Sequence, residues 1–276
     1  MPSGPLQVES EPGIAVVTID APPLQLLDVS IFAALFELLA GLEADDDLRA
    51  VVFRSADPDF FLMHADVEAL VQSTSLPRAA DTEPNIAVAT FERIRHEPFV
   101  TIGVLDGAAR GGGCEFLSAL DLRLGTPRSV IGQPEVPLGI LPGAGGTVRW
   151  AHLVGRARAL ELLLTGRDLD AEEALRLGWF LALHESADID AAALDLARSI
   201  ARMTRASIAA VKQVVDVALG SSADAFVAES NQLSSLMTAG NHVEPMRRFL
   251  AAGGQTRAAE AEAGDFAAVI ERTLEP

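Results

Sequence analysis

The segment DGAARGGGCE at residues 106–115 constrains the fold most, because three successive glycines separate a continuous apolar run from a helix-forming one. The run FVTIGVL at 99–105 is short, unbroken and rich in β-branched residues, the pattern of a strand buried on both faces. The segment CEFLSAL at 114–120 can start a helix. A helix N-terminus stripped of Cβ atoms leaves backbone N–H groups uncovered and favours a developing negative oxygen. Glu115 falls in the first turn of that helix, and Glu135, in GQPE at 132–135, returns from the next strand and loop to face it. An oxyanion cradle flanked by two carboxylates suits acid/base chemistry beside a carbonyl.

The chain has 276 residues, 49% of them apolar, enough for one large domain with a smaller appendage. Its 39 acidic against 21 basic residues give a formal charge of -18. That charge repels phosphate backbones and anionic bilayers, so neither nucleic acid nor a membrane is an expected partner. One cysteine, Cys114, excludes an internal disulfide, and no Cys/His cluster has the spacing of a zinc site, so no metal is expected. The N-terminus has neither a basic start nor an apolar stretch, which argues against a secretory signal and for a cytoplasmic location. Residues 24–42 are the most apolar long segment, but Asp28, Ser30 and Glu37 interrupt it, so it reads as a buried amphipathic helix. The one lysine, Lys212, does not follow a glycine-rich loop, and a P-loop is ruled out.

Apolar patterning predicts strands at 13–20, 49–54, 99–105, 122–125 and 129–132, with helices near 30–41, from 67 and at 85–96. Alternating strands and helices make an α/β layer structure. Residues 74–84, rich in Ser, Pro and charge, read as a mobile loop beside the site. Beyond residue 170 strands largely vanish, and 171–177, 189–203 and 207–219 have helical periodicity. The Ala/Glu-rich end from residue 255 reads as a surface helix or a loosely ordered end.

Several blocks occur in a fixed order. Asp106 and Gly107 precede GGGCE at 111–115; DLR follows at 121–123, then GQPEVPLGILPGAGGT at 132–147, LVGRARALELLLTG at 153–166 and AEEALRLG at 171–178. Together they resemble the crotonase superfamily, that of the enoyl-CoA hydratases and isomerases, over roughly residues 13–219. The resemblance implies an α/β fold with a repeated ββα spiral core, here residues 6–200. It also implies a C-terminal helical region, 201–276, that builds a homotrimer, often doubled to a hexamer. The implied substrate is an acyl-CoA thioester, with coenzyme A part of the substrate and no separate cofactor. By the same resemblance the N–H groups of Ala65 and Gly112 form the oxyanion hole, and Asp66, Gly111, Pro142 and Gly143 line the substrate site. Glu115 orients and deprotonates water, and Glu135 protonates the α-carbon.

Adding water across an α,β double bond needs a base for the water and an acid for the α-carbon. Two carboxyl groups can do both when their environments set opposite protonation states. A shift of the double bond needs only one carboxyl group, so two favour an enoyl-CoA hydratase-like lyase. The alternatives are an isomerase or C–C hydrolase of the same superfamily, or a binding protein of this fold with weakened CoA affinity.

The bland readings are weighed residue by residue. Glu115 by default is a helix N-terminal carboxylate, and Glu135 a loop charge. GAGG at 143–146 is a flexible turn before the helix carrying Arg149, and Asp121 with Arg123 is a structural charge pair. Cys114 is a small buried hydrophobe rather than a nucleophile. The family loop, normally Ala-Gly-Ala-Asp, here has Met63 and His64 before Ala65 and Asp66. His64 either packs away from the site or enters it as a third proton-transfer group, and Met63 and His64 are the candidate modulating residues. By the same resemblance, relatives commonly carry Arg or Lys where this chain has Ala21, Asn where it has Gln25 and Lys where it has Glu68, leaving Arg54, Arg93 or Arg95 to supply charge for CoA.

Overall fold

The computed structural model describes residues 4–220, 222–261 and 265–275. The chain opens with β1 (Leu6–Glu11), β2 (Ile14–Ile19) and α1 (Val29–Glu43), then β3 (Ala50–Ser55), α2 (Val67–Val71) and α3 (Ile86–His96). The middle runs β4 (Val100–Leu105), β5 (Ala108–Arg110), α4 (Gly112–Ala119), β6 (Leu122–Gly125), β7 (Val130–Gly132), α5 (Gly146–Val154) and α6 (Arg156–Thr165). There follow β8 (Leu169–Asp170), α7 (Ala171–Arg176), β9 (Ala182–Leu183) and α8 (Ile189–Ala201). The end is helical: α9 (Arg205–Leu219), α10 (Ala223–Thr238), α11 (Val243–Ala251), α12 (Arg257–Glu260) and α13 (Phe266–Leu274).

Two sheets share these strands. The larger has the order β1-β2-β3-β4-β6-β9, antiparallel only between β1 and β2; the smaller has the order β5-β7-β8. Each pass of the chain lays a strand in the large sheet, crosses to the small one and returns as a helix. Thus β4 leads to β5 and α4, and β6 to β7 and α5. Earlier passes repeat this with single bridges, Phe60 with Ala108 and Leu27 with Ala65. This is the repeated ββα spiral of the crotonase fold.

Side-chain alternation along the strands explains why both faces of the large sheet are covered. Ile14, Val16, Val52, Ile102 and Leu124 pack under Ile189, Ala193 and Ala197 of α8. Val17, Ile19, Val51 and Phe53 point the other way, into the main core with α1, α3 and α4. Phe116 of α4 meets Phe53 and Phe91 edge-on, with ring centroids 5.2 and 5.4 Å apart. Such pairs add about 0.5–1.5 kcal/mol each beyond the area they bury. The helix bearing Glu115 is therefore bolted to the sheet one residue from the carboxyl group.

Some expectations are corrected. Asp121 does not bond Arg123: it accepts from Lys212 Nζ at 2.8 Å and from the Thr101 N–H at 2.8 Å. Arg123 instead donates to the carbonyls of Leu120 (2.7 Å) and Trp179 (2.8 Å), because its buried guanidinium reaches the carbonyls left open where α4 ends. Past residue 170 strands largely vanish, as expected: among the described residues the two-residue β9 alone remains, at the edge of the large sheet beside β6. The chain end is not a surface appendage. Phe266, Val269 and Ile270 of α13 are buried with Met246 and Phe249 of α11, and Glu260 of α12 is fully buried. Residues 72–85 carry no helix or strand, as expected of a loop, and Arg78 within them bonds Asn231 of α10.

Candidate active site

The glycine run is set by close approach between loops. Gly111 has φ +51 and ψ −126, and a Cβ there would meet both Glu135 Oε1 and His64 Cβ at 2.9 Å. A Cβ on Gly113 would overlap the carbonyl of Leu62. The stretch 62–65 thus lies directly against the start of α4, held by the Gly113 N–H donating to Met63 O at 3.0 Å.

This contact orients two backbone donors. The Leu27 N–H donates to His64 O at 3.1 Å, and across a trans peptide that turns the Ala65 N–H to the opposite side. Gly111 O accepts the Glu115 N–H at 2.9 Å, which likewise turns the Gly112 N–H outward from the helix. Among the described residues, no protein group accepts the N–H of Ala65 or of Gly112.

Glu115 is buried, and its Oε1 accepts the N–H groups of Ala144 and Gly146, each at 2.7 Å. Burial pushes its carboxyl up to about 7, against the pull of those two N–H groups and of Arg149. Glu135 is also buried. Burial first, then the charges of Glu115 and Glu229, hold it well above the ordinary carboxylate range. Gln133, with its amide nitrogen turned toward Glu135, donates to both carboxyl oxygens (3.1 and 3.0 Å) while its oxygen accepts from Trp150 Nε1 at 3.3 Å. Both glutamates are thus raised by burial, and Glu135 is raised further by the charge of Glu115. Cys114, between them and the core, has its thiol raised by burial and then by both glutamates, which keeps it inert.

The GAGG turn at 143–146 proves to be a carboxylate-binding turn. Besides the two bonds to Glu115, the Gly145 N–H donates to Glu229 Oε1 at 2.7 Å. Gly143 O accepts from Asn85 Nδ2 at 2.6 Å, and Pro142 packs against Gly146. Glu229 escapes a reading of the sequence, since a glutamate in a long helix is solvated by default. A signal was present: residues 226, 229, 230, 233 and 237 form the buried stripe of α10, and two of them, Glu229 and Ser230, are polar.

On the opposite wall His64 takes the first of its two courses and packs away from Glu115 and Glu135. Met63 is buried with Leu24, Phe60 and Ala108. The His64 ring does not reach the glutamates: its Nε2 lies 2.9 Å from Glu260 Oε1 and its Nδ1 2.8 Å from Ala65 O. Burial opposes charge on this imidazole, but Glu260 outweighs it and the pKa is raised. Glu260 is lowered in turn, against its own burial, by His64 and then Arg110. Asp66 caps α2 through the Glu68 N–H (3.0 Å) and accepts Gln255 Nε2 at 3.0 Å. The three arginines offered for CoA are each engaged: Arg54 with Asp190, Arg93 with Glu43 and Arg95 with Asp216.

Comparison with known proteins agrees with this geometry. The family model for enoyl-CoA hydratase/isomerase matches residues 9–254. A Streptomyces avermitilis structure assigned to the enoyl-CoA hydratases is 33% identical with TM-score 0.86, covering 98% of each chain. DspI of Pseudomonas aeruginosa is 30% identical with TM-score 0.71, over 82% of this chain and 91% of that one. An enoyl-CoA hydratase of Bacillus anthracis, at 23% identity and TM-score 0.71 over 90% and 95%, shares the fold. The ββα passes, the glycine-backed turn and the paired carboxyl groups have one common explanation: this chain belongs to the enoyl-CoA hydratase/isomerase family.

Proposed function

We propose that the protein is an enoyl-CoA hydratase, adding water to, or removing it from, an α,β-unsaturated acyl-CoA thioester. The observation that carries this is the pair of neighbouring buried carboxyl groups, both held above the ordinary carboxylate range, beside two unclaimed N–H groups. The thioester oxygen takes the N–H groups of Ala65 and Gly112. Ionised Glu115 removes a proton from water as the oxygen bonds the β-carbon, the π electrons move to the thioester oxygen, and protonated Glu135 delivers its proton to the α-carbon as the enolate collapses. Loss of one oxyanion donor typically costs about 3–4 kcal/mol of transition-state stabilisation. A pure isomerase needs no second carboxyl group, so an ionisable Glu115 supports hydration.

Coenzyme A is part of the substrate in this reading, with no separate cofactor, and the protein acts in the cytoplasm. No described helix is long and apolar enough to cross a membrane, and no metal-holding group of His, Cys, Asp or Glu occurs among the described residues. The C-terminal helices, 201–276, are the proposed oligomerisation region, supported by the exposed Val211, Val214 and Val217 of α9. A homotrimer or its hexameric double is the proposed assembly. The test is turnover of crotonyl-CoA, followed by loss of the conjugated thioester absorbance. Wild-type protein that binds the thioester yet neither hydrates it nor dehydrates 3-hydroxybutyryl-CoA refutes the hydratase reading.

A further inference from the structure

We propose that Glu229 is a positioning residue for the two-carboxyl site, clamping the turn from which Glu115 hangs through the N–H groups of Gly145 and Val148. The inference rests on the hydratase reading for its catalytic consequence. Its geometry is independent of it.

The turn at 143–148 offers its N–H groups to two carboxyl groups from two different helices. Glu115 of α4 takes those of Ala144 and Gly146; Glu229 of α10 takes those of Gly145 at 2.7 Å and Val148 at 3.3 Å. The start of α5 is thus gripped alternately from opposite sides, and neither carboxyl group can shift without moving the turn that holds the other. The next residue of α10 continues the grip: Ser230 Oγ accepts the Asn85 N–H at 3.0 Å, and Asn85 Nδ2 in turn donates to Gly143 O. Leu233, one turn further, lies so close to Gly143 that a Cβ there would overlap it. A leucine or alanine at 229 would satisfy the packing stripe of α10. A buried glutamate is costly unless its partners are specific, and here both are backbone donors of this turn.

The charges around Glu229 come from every neighbouring element. Glu115 faces it from α4 and Glu135 from the loop after β7, while Arg149 of α5 opposes both and is itself shared with Glu92 of α3 at 2.6 Å. Burial first, then Glu115, push Glu229 up to about 8, with the Gly145 N–H, Arg149 and the Val148 N–H pulling the other way. Glu135 is raised by both other carboxylates. Glu229 therefore holds Glu115 in place and helps to keep the proton on Glu135.

The test is Glu229→Gln, nearly isosteric and unable to ionise, with Glu229→Ala as the full deletion. In the free protein, 13C-carboxyl NMR titration is expected to show the Glu135 midpoint moving down in Glu229→Gln, since one repelling charge is gone. With crotonyl-CoA, kcat is expected to fall about 100-fold in Glu229→Ala, the loss typical of a catalytic group displaced by roughly 1 Å, with KM nearly unchanged. The alkaline limb of the rate profile moves to lower pH in Glu229→Gln. An unmoved Glu135 midpoint overturns the proposal, whether or not activity falls, because a merely structural role would lower activity without touching that titration. Wild-type protein inactive on crotonyl-CoA removes the hydratase reading alone, and the titration of the free protein still decides the role of Glu229.

Discussion

His64 Nε2 lies 2.9 Å from Glu260 Oε1, joining residues 196 positions apart in a fully buried contact. Arg110 closes the group by donating to Glu260 O at 2.6 Å while holding Asp168 through two nitrogens. Removing one partner of such a pair leaves the other charge buried, so Glu260→Gln is expected to cost about 3–5 kcal/mol of unfolding free energy. The sign follows from the two shifts. His64 is raised, so its contribution is complete below the unfolded value near 6.5 and is lost as pH rises through the folded value. Glu260 is lowered, so its contribution is present above the unfolded value of about 4.3 and is lost as pH falls through the folded one. Denaturant unfolding of both proteins should show the largest gap near pH 5–6, shrinking on the alkaline side. A gap that grows above pH 8 contradicts the pairing.

The glycine contact gives a second prediction. Gly113→Ala drives a methyl group into the Leu62 carbonyl, a backbone atom that cannot swing aside. The expected cost is roughly 3 kcal/mol, at the upper end of overpacking penalties, read as a lower unfolding midpoint. Gly240→Ala is the comparison, since nothing stands within 4 Å of a Cβ there; strain from its positive φ is the only penalty.

Glu115→Gln should separate the two halves of the reaction. Hydration of crotonyl-CoA is expected to drop by roughly 1,000-fold or more, within the range of general acid–base contributions. Exchange of the α-proton of butyryl-CoA into deuterated water should survive in part, because Glu135 and the two N–H groups remain. In the wild type the acid limb of kcat/KM is expected near pH 7, where the Glu115 carboxyl loses its proton, with activity rising as pH rises through it. Equal loss of hydration and exchange contradicts the assigned roles.

Assembly can be tested on α9. Val214→Asp places a charge on a side chain that is 67% exposed in the single chain, so the protomer should keep its unfolding cooperativity. Light scattering is expected to report a trimer or hexamer for the wild type and a smaller species for the variant. A wild-type monomer at micromolar concentration rules out the proposed assembly.

In the large sheet β2, β3 and β4 were legible because each is six residues long and carries β-branched side chains on both faces, as in IAVVTI of β2 and VTIGVL of β4, whereas the polar β1 and the two-residue β9 were not. The three- and two-residue strands β5 and β8 were not, since neither is long enough to display a period. Glu115 and Glu135 stood out by their distance from the glycines, which is a local signal. The partner of His64 left no such trace, because Glu260 is brought to it only by the fold of the last helices. Glu229 lay between these cases: its place on the apolar stripe of α10 was visible, but the donors that justify a buried carboxyl group belong to a turn 84 residues away.

The bond between residues 255–260 and the loop at 64–67 sets a time as well as a place. Gln255 accepts the Val67 N–H and donates to Asp66, and Glu260 holds His64, so the 64–67 loop is pinned by a stretch made long after Glu115 and Glu135. A nascent chain can complete the described β-strands and both buried carboxyl groups while that loop still lacks its fastening. The loop then gains its fastening only once α12 has left the ribosome and seated on a scaffold already built.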